Sequence, residues 1–447
     1  MKLAFLPIDN RPVCYTLPKL IAEIDKDLEL YIPERKFLGD LKKSADIKAL
    51  FDWLKNLPED IDAMILTLDT IAYGGLIPSR RCPESYDEIR KRIENLKDIL
   101  LEKKCKIYAF SSIMRISNNN YNEEEKEYWS KYGKKIFEYS YNFHKSGEKQ
   151  NSSIPNDILD DYLETRKRNF EINKIYLEWQ KQGLFETLLF TKDDCAQFGI
   201  NVMEAEELIK LGGTTKTGAD EIPLSLFARA INGKLKICPV FLEPDQKGLI
   251  SNYEDVSVEQ SVRSQIELAG CEISDENSAD ILLYVNNFID HQGEIVMGVD
   301  TQPFNKTFTT PQKPYMIADV RYANGADNNF IKELSKNELD DKNFYGFSAW
   351  NTTANTLGSL ICGGKIKYFA QKYNPVAFKK LQLTRFLDDW AYQANIRQEL
   401  SFLNTSELNK KMQIYEGLVK NKLSINEVNI SYIYPWKRLF EVEIEFN

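Results

Sequence analysis

Histidine is almost missing from this chain of 447 residues, with His144 and His291 the only two. Mechanisms that need several imidazoles are therefore excluded in practice: there is no HExxH pair for zinc, and a Ser-His-Asp triad would have to recruit one of these two rings. Glycine-rich phosphate loops are missing as well. Neither GxGxxG nor GxxxxGK[ST] occurs, and "GGTTKTGADE" at 212–221 holds glycine and lysine in the wrong order. No run approaches 18 apolar residues, and the opening MKLAFLPIDNRP breaks into Asp, Asn, Arg and Pro too early for a signal peptide. A soluble protein is expected. The seven cysteines are scattered, odd in number and without a CxxC spacing, which suits reduced thiols in a cytoplasm. Basic residues are outnumbered, and the net charge of −9 gives no general attraction to nucleic acid or to an anionic membrane.

What the chain does have is buried-strand sequence. LAFLPI (3–8), AMILTL (63–68), KIYAFSS (106–112), LLFT (188–191), ICPVFL (237–242), ILLYV (281–285), YMIADV (315–320) and FYGFSAW (344–350) are continuous apolar runs without polar alternation, as strands covered on both faces must be. Helical patterns such as "YDEIRKRIENLKDILLEKK" and "EIPLSLFARAING" lie between them, so a parallel α/β sheet is expected. Eight such units predict a (β/α)8 barrel over 1–365. The alternative, favoured by the extra candidate LELYI (28–32), is a pair of doubly wound Rossmann-like sheets. Residues 117–184 read as a largely helical insertion or lid, and 366–447 as a C-terminal accessory region of helices and a last strand in "YPWKRLFEVEIEF". In "NTTANTLGSLICGGKIKYF" the pair Gly363 and Gly364 is expected to end the first part of a helix.

Polar residues gather at the ends of these runs. Asp9, Asn10 and Arg11 follow the first, Asp69 the second, Ser112 and Arg115 the third, Asp193 and Asp194 the fourth; Asn286 and Asn287 follow the sixth, Asp319 and Arg321 the seventh, Trp350 and Asn351 the eighth. A semi-buried carboxylate costs several kcal/mol unless it is paired or hydrogen-bonded, so stability alone does not call for this pattern. Each Asp taken singly could be a helix cap or turn former. The pair "DD" at 193–194 is harder to explain that way, since one residue suffices as a cap and like charges raise each other's pKa.

Paired carboxyls suit glycosidic cleavage, in which one protonated acid serves the leaving oxygen while a charged partner steadies a developing cation. Asp194 is the expected general acid, Asp193 a charge stabiliser or orienter, and Asp319 in "IADVRYANGAD" a nucleophile or base. By analogy with barrel glycosidases, the acid follows strand four and the nucleophile strand seven, while an acidic pair after strand four is also similar to substrate-assisted hexosaminidases. Asp9, Asn10, Arg11, Asp69, Tyr73, Arg80, Arg115, Arg166, Glu221, Asn286, Asn324, Trp350 and Asn351 are candidate substrate contacts. Asp220 reads as an N-cap in "GADE", and Trp350 as a stacking platform for a sugar. The expected ligand is a small molecule or oligosaccharide, without a cofactor. Two rivals stand beside this reading: a Mg²⁺- or Mn²⁺-dependent hydrolase in which Arg80, Arg115 and Arg166 grip a phosphate or carboxylate, and a sugar-binding protein without turnover.

The motifs "PIDNRPV", "LDTIAYGGLIPSR", "TKDDCAQFGIN", "GADEIPLSLFARAI", "ADVRYANGAD", "AWNTTANTLG" and "PWKRLFEVEI" together resemble a bacterial family labelled domain of unknown function 4127. The resemblance spans nearly the whole chain and implies no particular chemistry. Its motifs fall at the same strand ends.

Overall fold

The computed structural model describes residues 1–147, 153–193, 195–425 and 428–447. Every apolar run named above is a strand. In chain order the strands are β1 (Lys2–Leu6), β2 (Glu29–Tyr31), β3 (Ala63–Thr67), β4 (Lys106–Ile113), β5 (Thr187–Lys192), β6 (Thr215–Thr217), β7 (Lys236–Phe241), β8 (Glu272–Ile273), β9 (Ile281–Asn286), β10 (Gly293–Glu294), β11 (Tyr315–Asp319), β12 (Tyr322–Ala323), β13 (Phe344–Ser348), β14 (Ile430–Ile433) and β15 (Glu443–Phe446).

The described strands do not close into a barrel. They form one six-stranded sheet in the order β2-β1-β3-β4-β5-β6, a five-stranded sheet in the order β13-β11-β9-β7-β8, and two small two-stranded pairs. All neighbours in both larger sheets run parallel. The expected single sheet is divided because β7 pairs with β8 and β9 and not with any of the first six strands. The protein is thus mixed α/β, in two compact units: residues 1–15 with 29–223, and residues 16–28 with 224–447. This division replaces the boundary expected at 365. The reason is that the helix Pro375–Arg385 and the segment after it pack on β13, so the C-terminal region shares the second sheet's core.

In the first unit, the helix Tyr86–Glu102 starts on a reciprocal cap between Ser85 and Glu88 and buries Ile89, Ile93, Leu96, Ile99 and Leu100, a stripe at helical spacing. That stripe joins Met64, Leu66, Ile107 and Ala109 in one apolar cluster, so the alternate residues of β3 and β4 point the other way. After the helix Leu68–Tyr73 the chain turns at Gly74 and Gly75, both with positive φ, and a Cβ on Gly75 would stand 3.1 Å from the Ile8 carbonyl. At Gly75 the backbone therefore passes close to the chain that leaves β1.

In the second unit, Gly363 and Gly364 do not end a helix; Thr353–Phe369 runs through both. Their smallness serves packing, since a Cβ on Gly364 would lie 2.3 Å from Met316 Sδ on β11. Residues Phe386–Ile396, within the helical region expected after 366, form a π-helix of 11 residues. Against it lies Gly325, with φ +143, whose added Cβ would meet the backbone nitrogen of Ala394 at 2.9 Å. No helix among the described residues is long and apolar enough to cross a membrane.

Gly325→Ala is expected to destabilise the protein by about 1–3 kcal/mol, through a disfavoured backbone region and this contact. Denaturant unfolding checks it; a midpoint unchanged from wild type would mean that the π-helix is not held against this turn.

Candidate active site

The parallel strands of the first sheet deliver their carboxyl ends to one edge, and strand order reverses between β1 and β3, the place where ligands of open parallel sheets bind. Asp9 follows β1 and Asp69 follows β3. Asp69 sits in the first turn of Leu68–Tyr73 and is 1% exposed. Its Oδ2 accepts the Ser112 backbone N–H at 2.8 Å, while its Oδ1 has no hydrogen-bond partner. Burial pushes its pKa up to about 7, against the pull of the Ser112 backbone and hydroxyl and of the Arg80 charge. Such a carboxyl exchanges a proton near neutral pH.

The register places further polar atoms beside it. Thr67 is paired with Phe110, and Ser112 with Thr191, so Thr67, Ser112 and Thr191 share one face of the sheet. The hydroxyls of Thr67, Ser112 and Thr191 are buried and lack hydrogen-bond partners, as does Nη2 of the buried Arg80, which faces Asp193 Oδ2 at 3.8 Å. Buried polar atoms are nearly always satisfied, so a cluster left open at a sheet edge marks a place for a polar ligand or ordered water.

Charged groups frame this cluster. Arg11 Nε donates to Asp9 Oδ2 at 2.8 Å, and its two terminal nitrogens donate to Asp220 at 2.9 and 2.5 Å. Asp220 is thus half of a buried bidentate pair, which corrects its reading as a helix cap, and burial raises its pKa against the pull of Arg11. Arg80 Nη1 donates to Glu125 at 2.9 Å, and Arg115 donates to Glu125, Glu124 and Asp193 at 3.2, 2.8 and 3.4 Å. Asn10 contributes its backbone, accepting Arg35 Nε at 2.8 Å. Tyr73 is buried beneath the Arg168 guanidinium. Glu221 is buried against Gly218. Asp194 lies outside the described residues.

Arg166, a candidate substrate contact, is committed elsewhere. It pairs with Glu204, donates to the Met114 carbonyl at 2.8 Å and to the Tyr162 hydroxyl at 3.2 Å, and is 2% exposed. A buried guanidinium with its donors so used is a structural tie.

The remaining candidates belong to the second unit. Asp319 ends β11 with both oxygens occupied: Oδ1 accepts Asn286 Nδ2 at 2.8 Å and Oδ2 the Asp327 N–H at 2.8 Å. Burial and the Asp327 charge push its pKa up to about 7. Arg321 donates to Asn286, the Gln302 carbonyl and Glu243 at 3.1, 2.9 and 2.9 Å. Asn324 and Asn351 both adopt positive φ, and the Asn324 N–H donates to the Asn351 carbonyl at 2.8 Å. Trp350 is 3% exposed and offers no open ring face for stacking. Asp388 and Asp389, on the π-helix, are buried beside Arg385; burial pushes their pKa values up to about 7 and 6.

Sequence reasoning passed over Thr67, Thr191, Glu124 and Glu125. A lone hydroxyl closing each of two buried apolar runs, AMILT and LLFT, was a usable signal. The glutamates belong to "NEEEKE", which reads as a solvated charge run. Among the described residues no group of three or more His, Cys, Asp or Glu is arranged to hold a metal ion.

Fold and site together define an α/β protein of open parallel sheets with a carboxyl-rich edge around an incompletely satisfied polar cluster. The chain belongs to the family described as protein of unknown function DUF4127, whose model matches residues 3–445. No curated protein matches it.

Two predictions follow from these pairings. Folded Asp69 keeps its proton up to about pH 7, whereas the unfolded side chain loses it near 3.8, so this residue withdraws stability as pH rises from about 4 to 7. Asp69→Asn cannot ionise and should gain on wild type across that interval by on the order of a few kcal/mol in urea unfolding at pH 4.5 and 8; an equal difference at both pH values would contradict the buried-acid assignment. Arg166→Leu should cost about 3–5 kcal/mol by stranding Glu204, and Arg166→Leu with Glu204→Leu should recover most of it. A double variant as unstable as the single one would show that the tie is not to Glu204.

Proposed function

We propose that the carboxyl edge of the first sheet is the reaction centre of a glycosidase-type hydrolase, in which Asp69 donates and accepts the proton and Asp193 supplies the negative charge that steadies a cationic transition state. The observation that carries this reading is the set of buried atoms without a hydrogen bond: one carboxyl oxygen, three hydroxyls and one guanidinium nitrogen. A fixed donor, an acid near neutrality and three groups able to do either match the alternating hydroxyls of a sugar. The order of strands supports it, since each larger sheet has its first strand between its second and third, the doubly wound Rossmann-like arrangement whose crevice lies at that reversal.

Asp319 is assigned no step, because both its oxygens already accept hydrogen bonds. The reading in which an anionic substrate is gripped by arginines rests on Arg80 and Arg115, and both are engaged by Glu124 and Glu125. It draws less support than the neutral or cationic sugar.

Purified protein is to be tested on a panel of aryl glycosides that includes N-acetylhexosaminides, with and without chelator. Asp69→Asn is expected to lower kcat by about 10²–10⁴ on whichever glycoside is cleaved. In wild type, kcat/KM should fall as pH rises through about 7, where Asp69 loses the proton the leaving group needs. Full activity in Asp69→Asn would remove Asp69 from the chemistry, activity lost to chelator would favour a metal-dependent hydrolase, and a panel without turnover would leave a binding protein.

A further inference from the structure

We infer that the ligand of this edge carries a protonated amine bound by Asp193, so that its class is an amino sugar or similar polyhydroxylated amine. The inference rests on the site proposed above and names what that site selects. Arg80 and Arg115 are the guanidiniums beside Asp193, and both are taken at shorter range by other carboxylates. Glu125 Oε1 lies 2.9 Å from Arg80 Nη1 and 3.2 Å from Arg115 Nε, and Glu124 Oε2 lies 2.8 Å from Arg115 Nη2. Asp193 Oδ2 is left at 3.4 Å from Arg115 and 3.8 Å from Arg80. Arg81 faces the same glutamates, so among the described residues three guanidiniums answer Glu123, Glu124, Glu125 and Asp193, and the nearer contacts go to the glutamates.

Exposure sets Glu125 apart at 4%, whereas the Glu124 and Asp193 side chains are 21% and 20% exposed; of these two, Glu124 lies 2.8 Å from Arg115 and Asp193 no nearer than 3.4 Å. Asp193 Oδ1 makes no hydrogen bond or ion pair among the described residues. The next guanidinium, Arg11, brings no relief, since it is divided between Asp9 and Asp220. The surplus negative charge therefore falls on the accessible carboxylate held at the longer distances, Asp193. The buried Thr67 and Thr191 hydroxyls, Asp69 Oδ1 and Arg80 Nη2, none with a hydrogen-bond partner, call independently for a ligand with several hydroxyls. A hydroxyl-bearing cation meets both demands, whereas a uronate or sugar phosphate would add charge to a site already in excess.

The test compares glucose and galactose with glucosamine, galactosamine, their N-acetyl forms, the two uronic acids and the 6-phosphates, by calorimetry and thermal shift at pH 6.5. Glucosamine or galactosamine is expected to bind at least tenfold more tightly than its parent sugar, the N-acetyl form to lose that gain, and the uronate and phosphate to bind more weakly still. Added salt should shrink the gain. Asp193→Asn should abolish it. Glu124→Gln, which leaves Asp193 in place and releases Arg115 toward it, should reduce it severalfold, so that misfolding of one variant does not decide the matter.

Tighter binding of uronate or phosphate, an amine gain that survives Asp193→Asn, or no binding by any probe overturns the inference. So does stabilisation by Mg²⁺ or Ca²⁺ alone that Asp193→Asn removes, which would make the cation a metal. Turnover of glycosides without an amine preference would sink this inference and leave the hydrolase standing; amine preference without turnover would do the reverse.

Discussion

The hydrogen bond from the Ser112 N–H to Asp69 Oδ2 is the constraint on which the first unit's edge depends. A carboxyl at 1% exposure is costly to ionise, and with no cation in direct contact the cheaper state is the neutral one. One main-chain donor cannot offset the lost hydration, but it fixes which oxygen is anchored and which is left over. The leftover Oδ1 belongs to an acid that titrates near neutrality, close to the Arg80 charge that moderates it. Parallel pairing makes this possible, because β3 and β4 end side by side and bring a donor from β4 to the helix that follows β3.

The second unit shows what the same arrangement looks like when it is closed on itself. Its sheet also has the first strand, β7, between the second and third, β8 and β9. The ends of β7, β9 and β11 carry Glu243, Asn286 and Asp319, and Arg321 ties the first two together while Asn286 holds the third. Each of these polar groups has found a partner within the unit. Similar residue types at similar strand ends therefore differ in what they leave open. An acid near neutrality without a vacant oxygen, such as Asp319, is a structural acid by that criterion.

The strands were legible because burial on both faces writes itself as continuous apolar sequence, and each of the nine candidate runs is a strand. The partition into two sheets was not, because pairing of β7 with β9 instead of with an earlier strand leaves no mark in either run. The same holds for the functional residues. That Asp69, Asp193 and Arg80 lie at an edge follows from their place after strands, whereas the commitment of Arg166 to Glu204 depends on a contact 38 residues away in sequence. Gly363 and Gly364 carried a true signal of special geometry with the wrong interpretation, since smallness there serves the approach of Met316 and not the end of a helix. Short edge strands such as β6 and β8, with three and two residues, are too brief to imprint a pattern.

Burial holds Asp69 protonated, and positive charge beside it works the other way. Arg80 and Arg115 stand close enough to undo that effect, and Glu124 and Glu125 sequester them in a segment that has neither helix nor strand. With both guanidiniums neutralised at short range, Asp193 retains its field and the arginines keep their hydrogen-bonding geometry. Asp193 at the mouth of the core then keeps negative charge at the edge while the nearest cations are held more closely by Glu124 and Glu125.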